Sequence, residues 1–518
     1  MFPSIRQSMA FLHTWAGLLA GWVLFIVFCS GTAAYFNGEI SRWMRPELGN
    51  ASDPLRAMAS AEALLKQEMP EGHYWFVSLP GGRNNATHVY WQAMPASPDE
   101  TEGDEGNRTL DGTGAAADVR ATEGGDFLYR FHFDLRYLPV IMARWIVGAC
   151  AMFMLVAIIS GIITHKKIFA DFFMLRFGKG QRSWLDAHNA ASVLALPFHL
   201  MITYTGLASL MFLYMPWGID ARYDEPETFY SEAWDSPAPV EHQGRPAPLV
   251  PVTPLIERAL PFLDGEAPAY VFVEHPGDTS AVVEVSTRGD GGLSAARRRV
   301  IFDGTTGAIL HAGTPGGGAA ETLAVMIGLH AGRYADTGLR WLYFLSGLGG
   351  TAMVATGLLL WTAKRRRKSE TPAFGFRLVE ALNIATITGL PAGIAAYLLA
   401  NRLLPLGGAD RAEAEILALF VTWALALLLA LVRPARRAWA EGLGLAALAF
   451  LSVPVVNALT TARGFAASLA AGDGAFIGVD LTTALIGAGF AFAAWRAARP
   501  QAAARTSRRL PSSGAARS

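Results

Sequence analysis

Long apolar runs alternate along this chain with polar stretches rich in turn residues. Eight runs are long enough to cross a hydrocarbon layer as helices, which takes about 20 residues each. They lie at 9–36, 138–164, 187–214, 338–362, 379–401, 411–432, 439–459 and 473–495. The first follows Arg6 as a secretory leader would, but it is too long for a leader's apolar core. Between the runs the periodicity changes. In residues 37–137 a stretch of helical spacing, Ala61 to Gln67, precedes HYWFVSLPGG and THVYWQA; in 215–337 Leu255 to Leu260 precedes AYVFVEHPGD and AVVEVS. Turn signals follow at Asp111-Gly112-Thr113-Gly114 and at Asp303-Gly304-Thr305-Thr306-Gly307. Alternating β-branched and aromatic residues between such turns predict antiparallel hairpins behind one helix, so each loop reads as a small α+β domain. The acidic, Gly-rich stretch 97–125 reads as a flexible insertion.

The fold class is therefore a polytopic α-helical membrane protein of about eight spans carrying two small α+β domains. The domain plan is a first span within 1–36, a first domain at 37–137, spans two and three with their connecting loop at 138–214, a second domain at 215–337, a fourth span at 338–362, a four-span module at 379–495 and a tail at 496–518. Composition agrees: charged residues make up 17% of the chain, against about a quarter in soluble domains. The net charge of zero argues against a nucleic-acid partner. The two cysteines, Cys29 and Cys150, both lie inside apolar runs, which leaves no disulfide framework and no iron–sulfur ligand set.

Basic residues set the orientation. Lys166, Lys167, Arg176, Lys179 and Arg182 lie between spans two and three, Lys364 to Lys368 follow span four, Arg433, Arg436 and Arg437 follow span six, and Arg496, Arg499, Arg508 and Arg509 follow the last. All fall on one side, which the positive-inside rule makes cytoplasmic together with both termini. The two α+β loops are then periplasmic, in the inner membrane of a bacterium.

The first four spans repeat. His13 to Gly31 and His188 to Gly206 are both 18 residues; Arg144 to Gly161 and Arg340 to Gly357 are both 17. Matched spans enter from the same side, so the repeat is parallel, with its axis along the membrane normal.

Of 11 histidines, His13, His188 and His199 lie within spans, His165 at the cytoplasmic end of span two, and His132 and His330 just outside the other ends of spans two and four. An ionisable side chain within a span is costly and marks function by default. A lone histidine there is equally well explained by a hydrogen bond between helices; six in two layers point to metal or haem. His13 and His188 each lie about 10 Å inside their charged flanks, Arg6 and Arg182, and the repeat sets them facing one another as a bis-His pair. His165 is shallower and reads as an alternate ligand or a propionate or proton contact. His199 shares a face with His188 about 16.5 Å along the helix, a spacing that suits a second, stacked haem. Its repeat position is Leu24, so its partner comes from elsewhere: His330 is preferred, on a surface helix dipping inward, with His132 as substitute. His73, His88, His242, His275 and His311 read as ordinary loop residues.

GIITHKKIFADFFMLRFGKGQRSWLDAHNAASVLALPFHLMITYTGL, FLYRFHFDLRYLP, IGLHAGRY and LRWLYFLSGLGGTAMVATGLLLW resemble the PepSY-associated transmembrane family over about residues 5–365. The resemblance implies PepSY modules in both loops, and haem at His13, His132, His165, His188, His199 and His330. The family includes iron-regulated inner-membrane proteins and a haem-containing reductase of ferric siderophores. The reading is therefore a di-haem b electron carrier that reduces a ferric siderophore or other ferric chelate at the periplasmic face for iron uptake. Without a strand leading into GxGxxG, its electrons must come from quinol or a separate reductase. The alternatives are a transporter, which the repeat permits, and a PepSY-type sensor or regulator without redox activity. The last four spans, with Asn383, Asn401 and Asn457, read as plain apolar packing, a scaffold or a quinone-facing platform.

Overall fold

The computed structural model describes residues 4–49, 53–95, 103–111, 114–165, 174–235, 240–313, 316–366, 373–408 and 410–499. Gly112, Thr113, Lys166, Lys167, Arg367, Lys368, Arg508 and Arg509, used above as turn or topology signals, lie outside them.

In chain order, α1 (Ile5–Ala34) leads through α2 (Asn37–Met44) to α3 (Pro54–Glu68) and the strands β1 (Tyr74–Ser78), β2 (Thr87–Gln92) and β3 (Glu105–Leu110). The chain returns through α4 (Gly124–Asp134) into α5 (Val140–Thr164), then α6 (Gln181–Leu194) and α7 (Leu196–Ser209). The second loop holds α8 (Thr253–Ala259), β4 (Pro268–Glu274), β5 (Val282–Thr287), β6 (Arg299–Asp303), β7 (Ile309–Gly313) and α9 (Gly318–Ala331). After these come α10 (Thr337–Arg366), α11 (Phe374–Leu403), α12 (Arg411–Val432), α13 (Ala435–Thr460) and α14 (Gly474–Ala498).

Among the described residues seven helices, α1, α5 and α10 to α14, are long and apolar enough to span a membrane, and this is a polytopic membrane protein. The expected straight third span is instead a pair, α6 and α7, bent by 68°. The cause is local: Pro197, at the start of α7, has no N–H to give to the carbonyl of Val193 and its ring collides with that carbonyl. Counted as one broken span, the pair makes the eighth.

The two loops do not form separate α+β bodies. All seven strands join in one antiparallel sheet, ordered β3-β2-β1-β4-β5-β6-β7. The seam is β1 against β4, with Tyr74 opposite Glu274, Phe76 opposite Phe272 and Ser78 opposite Tyr270. Alternation explains the faces: Trp75, Val77, Val89, Trp91, Val271, Val273, Val283 and Val285 point to one side, where α3 and α8 cover them through Met58, Leu65, Leu255 and Ile256. A buried carboxylate reinforces the seam. Glu62 of α3 accepts hydrogen bonds from the backbone N–H groups of Val252 (3.1 Å) and Thr253 (3.2 Å), so one loop caps the first turn of the other loop's helix. Part of the stretch expected to be a flexible insertion is ordered as the edge strand β3: Gly106 fits beneath the Trp91 indole, where a Cβ would come within 2.4 Å, and Arg108 lies over that ring.

The last four spans are not plain apolar packing at the end nearer the sheet. There Arg402 stacks on Trp43 of α2 (3.7 Å to the ring centre), bonds Asn457 Oδ1 (3.0 Å) and donates to the Trp43 carbonyl. The Trp43 indole donates to Asp480 (2.9 Å), which also accepts from Asn457 (3.0 Å). Arg411 pairs with Glu415, and Arg120 donates to the Asn401 carbonyl (2.6 Å). Few charges, spread over distant segments, converge here to fasten the C-terminal module to α2 and the stretch before α4.

Candidate functional site

Two pairs of histidines face each other within the first-half bundle. His13 of α1 and His188 of α6 have ring centres 6.1 Å apart. His132 of α4 and His330 of α9 have ring centres 6.3 Å apart. The first pair is the expected one. In the second, the ring facing His330 belongs to His132, the substitute, and not to His199. His199 is fully buried, and its aromatic neighbours are Phe28 and Phe198. Helix geometry explains the exchange: the bend at Pro197 redirects α7, while α4 and α9 both end inward in a left-handed residue, Leu135 and Gly332.

Each ring of the first pair is seated alike. His13 Nδ1 lies 2.8 Å from the carbonyl of Ala157 and His188 Nδ1 2.9 Å from that of Met353. A carbonyl only accepts, so each Nδ1 carries the proton and each Nε2 keeps its lone pair for an electron-poor centre. The seats are glycines. A Cβ at Gly161 would come within 3.3 Å of His13, and one at Gly357 within 3.2 Å of His188. In the second pair His330 Nδ1 approaches the Ile202 carbonyl (3.1 Å), His132 Nδ1 contacts that of Tyr129, and the seats are Gly206 and Gly31. Both sets of glycines are those that carry the 17- and 18-residue spacings.

His13 and His188 line a cavity of about 230 Å³ that also takes in His165, His199, Gly17, Lys364 and Arg365. A Cβ at Gly17 would meet nothing within 4 Å, so α1 leaves open space one turn from His13. Arg365 lies 3.7 Å over the Trp361 ring, which holds a cation at the cavity's margin. His165 caps α5, where its backbone N–H bonds the Gly161 carbonyl (3.1 Å). Of the aromatics near the sheet side, Tyr334 and Tyr343 have hydroxyls 3.1 Å apart, Tyr343 packs on Tyr35, Tyr137 bonds Glu413, and Trp217 is exposed.

Helices that cross the membrane, a sheet built from the two loops between them, and imidazoles paired across the bundle define a polytopic membrane protein with a histidine-lined interior. Residues 10–364 match the family described as the PepSY-associated TM region, and the chain belongs to that family. An uncharacterized Pseudomonas aeruginosa protein, PA4219, is 29% identical over 384 residues, covering 69% of this chain and 92% of the relative.

Proposed function

We propose that this chain is a di-haem b electron-transfer protein of the bacterial inner membrane that reduces a ferric siderophore or other ferric chelate at the periplasmic face. The observation that carries the reading is the spacing of the imidazole pairs. Two facing imidazoles that shared one metal ion, with about 2.0 Å from ion to nitrogen and about 1.1 Å from nitrogen to ring centre, would have ring centres about 6 Å apart. The two pairs lie at 6.1 and 6.3 Å. Haem, when bound, would supply one-electron chemistry.

The chain's own residues do the rest. His13, His188, His132 and His330 would hold the haem iron, and the carbonyls of Ala157, Met353 and Ile202 fix the tautomers of His13, His188 and His330. Gly161, Gly357, Gly206 and Gly31 let the rings approach the neighbouring helices, and apolar packing around Leu18, Leu24, Met154 and Leu358 keeps water out. Lys364 and Arg365 suit carboxylates at the cytoplasmic mouth, with His165 beside them. His199 is left as a buried imidazole that faces neither pair. The basic loops orient the sheet to the periplasm, and electrons enter from quinol or a separate reductase. The shared seating of the two pairs supports the internal duplication of the first four spans.

A reduced-minus-oxidised visible spectrum of the purified protein tests the reading. Two b-type components extractable with acid–acetone are expected, because no CxxCH attachment motif occurs. No pigment after haem-replete expression would return the chain to the transporter or regulator alternatives.

A further inference from the structure

A second group of histidines lies in the sheet, at the end of the β1–β4 seam away from the membrane spans. The near end is marked by Arg83, which follows β1 and pairs with Glu39 of α2 (2.6 Å). At the far end His73 immediately precedes β1 and His275 immediately follows β4, and their backbones are joined by a 2.8 Å hydrogen bond. The ring centres of His73 and His275 are 5.7 Å apart, and those of His275 and His242 are 5.2 Å apart.

Three features separate this cluster from ordinary loop histidines. First, spacing: two imidazoles on one ion at a tetrahedral angle, with metal–nitrogen distances of about 2.0–2.1 Å, have ring centres about 5.2 Å apart. Second, orientation by a carboxylate. Asp278 is 3% exposed and accepts from the Ser280 hydroxyl (2.6 Å), whose oxygen lies 3.3 Å from His275 Nδ1. With that hydroxyl's proton committed to Asp278, His275 Nδ1 is the donor and Nε2 is free. The other oxygen of Asp278 lies 3.6 Å from His242 Nε2, so His242 Nδ1 is its available nitrogen. Carboxylates that orient imidazoles in this way accompany metal-binding histidines. Third, His275 is 4% exposed and holds a left-handed backbone (φ 48°), a conformation that costs of order 1 kcal/mol or more and gathers at functional sites. Among the described residues, His73 Nδ1 is buried with no hydrogen-bond partner.

We propose that His73, His242 and His275 form a binding site for a divalent transition ion, zinc or copper, on the sheet. It is distinct from the histidine pairs between the spans and does not depend on haem. The rings stand as two adjoining pairs: among the described residues, no three such side chains converge on one ion position. Binding requires His242, with its side chain 35% exposed, to swing toward the other two rings, and would leave the fourth position to water.

The test uses the full-length, tag-free protein in detergent, titrated with Cu²⁺ and read by electron paramagnetic resonance, with Zn²⁺ competition by calorimetry. Expected is one high-affinity equivalent of Cu²⁺ with nitrogen hyperfine structure, displaced by Zn²⁺. His242→Ala should weaken that equivalent at least ~10-fold, because it removes a ligand. His275→Asn, which keeps a residue tolerant of positive φ, should abolish it, with the visible spectrum unchanged in both. His311→Ala, outside the cluster, should leave it intact. The same stoichiometry and hyperfine pattern in His242→Ala and His275→Asn as in the wild type would overturn the proposal, as would loss of the equivalent in His311→Ala.

Discussion

His13 and His188 are anchored by one rule: each ring rests on a glycine of the neighbouring helix, Gly161 or Gly357, and each Nδ1 bonds the carbonyl four residues before that glycine. Four residues is about one helical turn, so seat and anchor lie on one stripe of α5 or α10. A single stripe therefore fixes both where the ring sits and which nitrogen it presents.

That arrangement predicts which variants act together. His13→Ala and His188→Ala should each remove the same b-type component, and His132→Ala and His330→Ala should each remove the other. Potentiometric titration of the visible spectrum resolves the two. Loss of different components by His13→Ala and His188→Ala would sink the pairing.

The glycine seats make a second prediction. A methyl group at Gly206 would lie 2.8 Å from His330 Cε1, closer than such contacts allow. Gly206→Ala should displace that ring and shift or bleach one component. Gly349→Ala on α10, whose Cβ would meet only Ala195 at 3.8 Å, should leave the spectrum unchanged.

Arg402 is 6% exposed and satisfied on three sides, by Trp43, Asn457 and Asn401. Arg402→Ala leaves the buried Asn457 and Asn401 side-chain oxygens and the Trp43 carbonyl without their donor, at about 1–3 kcal/mol for each buried group left unpaired. A drop of several degrees in the melting temperature of the detergent-solubilised protein is expected. An unchanged melting curve would mean that α2 and the C-terminal module are not energetically joined.

The seam carboxylate gives a fourth. Glu62→Ala would orphan the backbone N–H groups of Val252 and Thr253, at about 1–3 kcal/mol for a buried donor. Both loops should then become sensitive together, visible as faster amide exchange in α3 and α8 alike. Change confined to α3 would show that the loops are stabilised independently.

A fifth concerns pH. Burial, and then the charge of Arg45, holds the His88 imidazole down to about 4. An unfolded histidine titrates near 6.5. Between those values the unfolded chain binds a proton that the folded sheet does not, so stability is lost as pH falls from about 6.5 towards 4, by up to about 3 kcal/mol. The melting temperature should fall between pH 7 and pH 5, and less steeply in His88→Gln. Parallel curves would assign the loss elsewhere.

What the sequence could tell follows from how local each feature is. The apolar runs and the Val–aromatic alternation of β1, β2, β4 and β5 are written in consecutive residues, and those elements appear where the pattern put them. The facing of His13 and His188 was legible from the equal 18-residue spacings His13 to Gly31 and His188 to Gly206. The bend at Pro197 was signalled by the proline, but a straight span fitted the length equally well. The partner of His330 depends on where α4 and α9 turn, and the β1–β4 seam joins segments nearly two hundred residues apart; neither leaves a mark on neighbouring positions. The Arg402–Trp43–Asp480 contacts were invisible for the same reason.

The β1–β4 seam also limits how the molecule can move. Transporters built on repeats work by rocking one half against the other about a central site. Here the two halves of the first four spans are clasped outside the membrane by five consecutive residue pairs, Tyr74 with Glu274 through Ser78 with Tyr270. Any large relative rotation would have to shear that ladder and pull Glu62 off the first turn of α8. The joined sheet thus acts as a brace between the segments that carry the paired histidines, and resists the rocking on which alternating access depends.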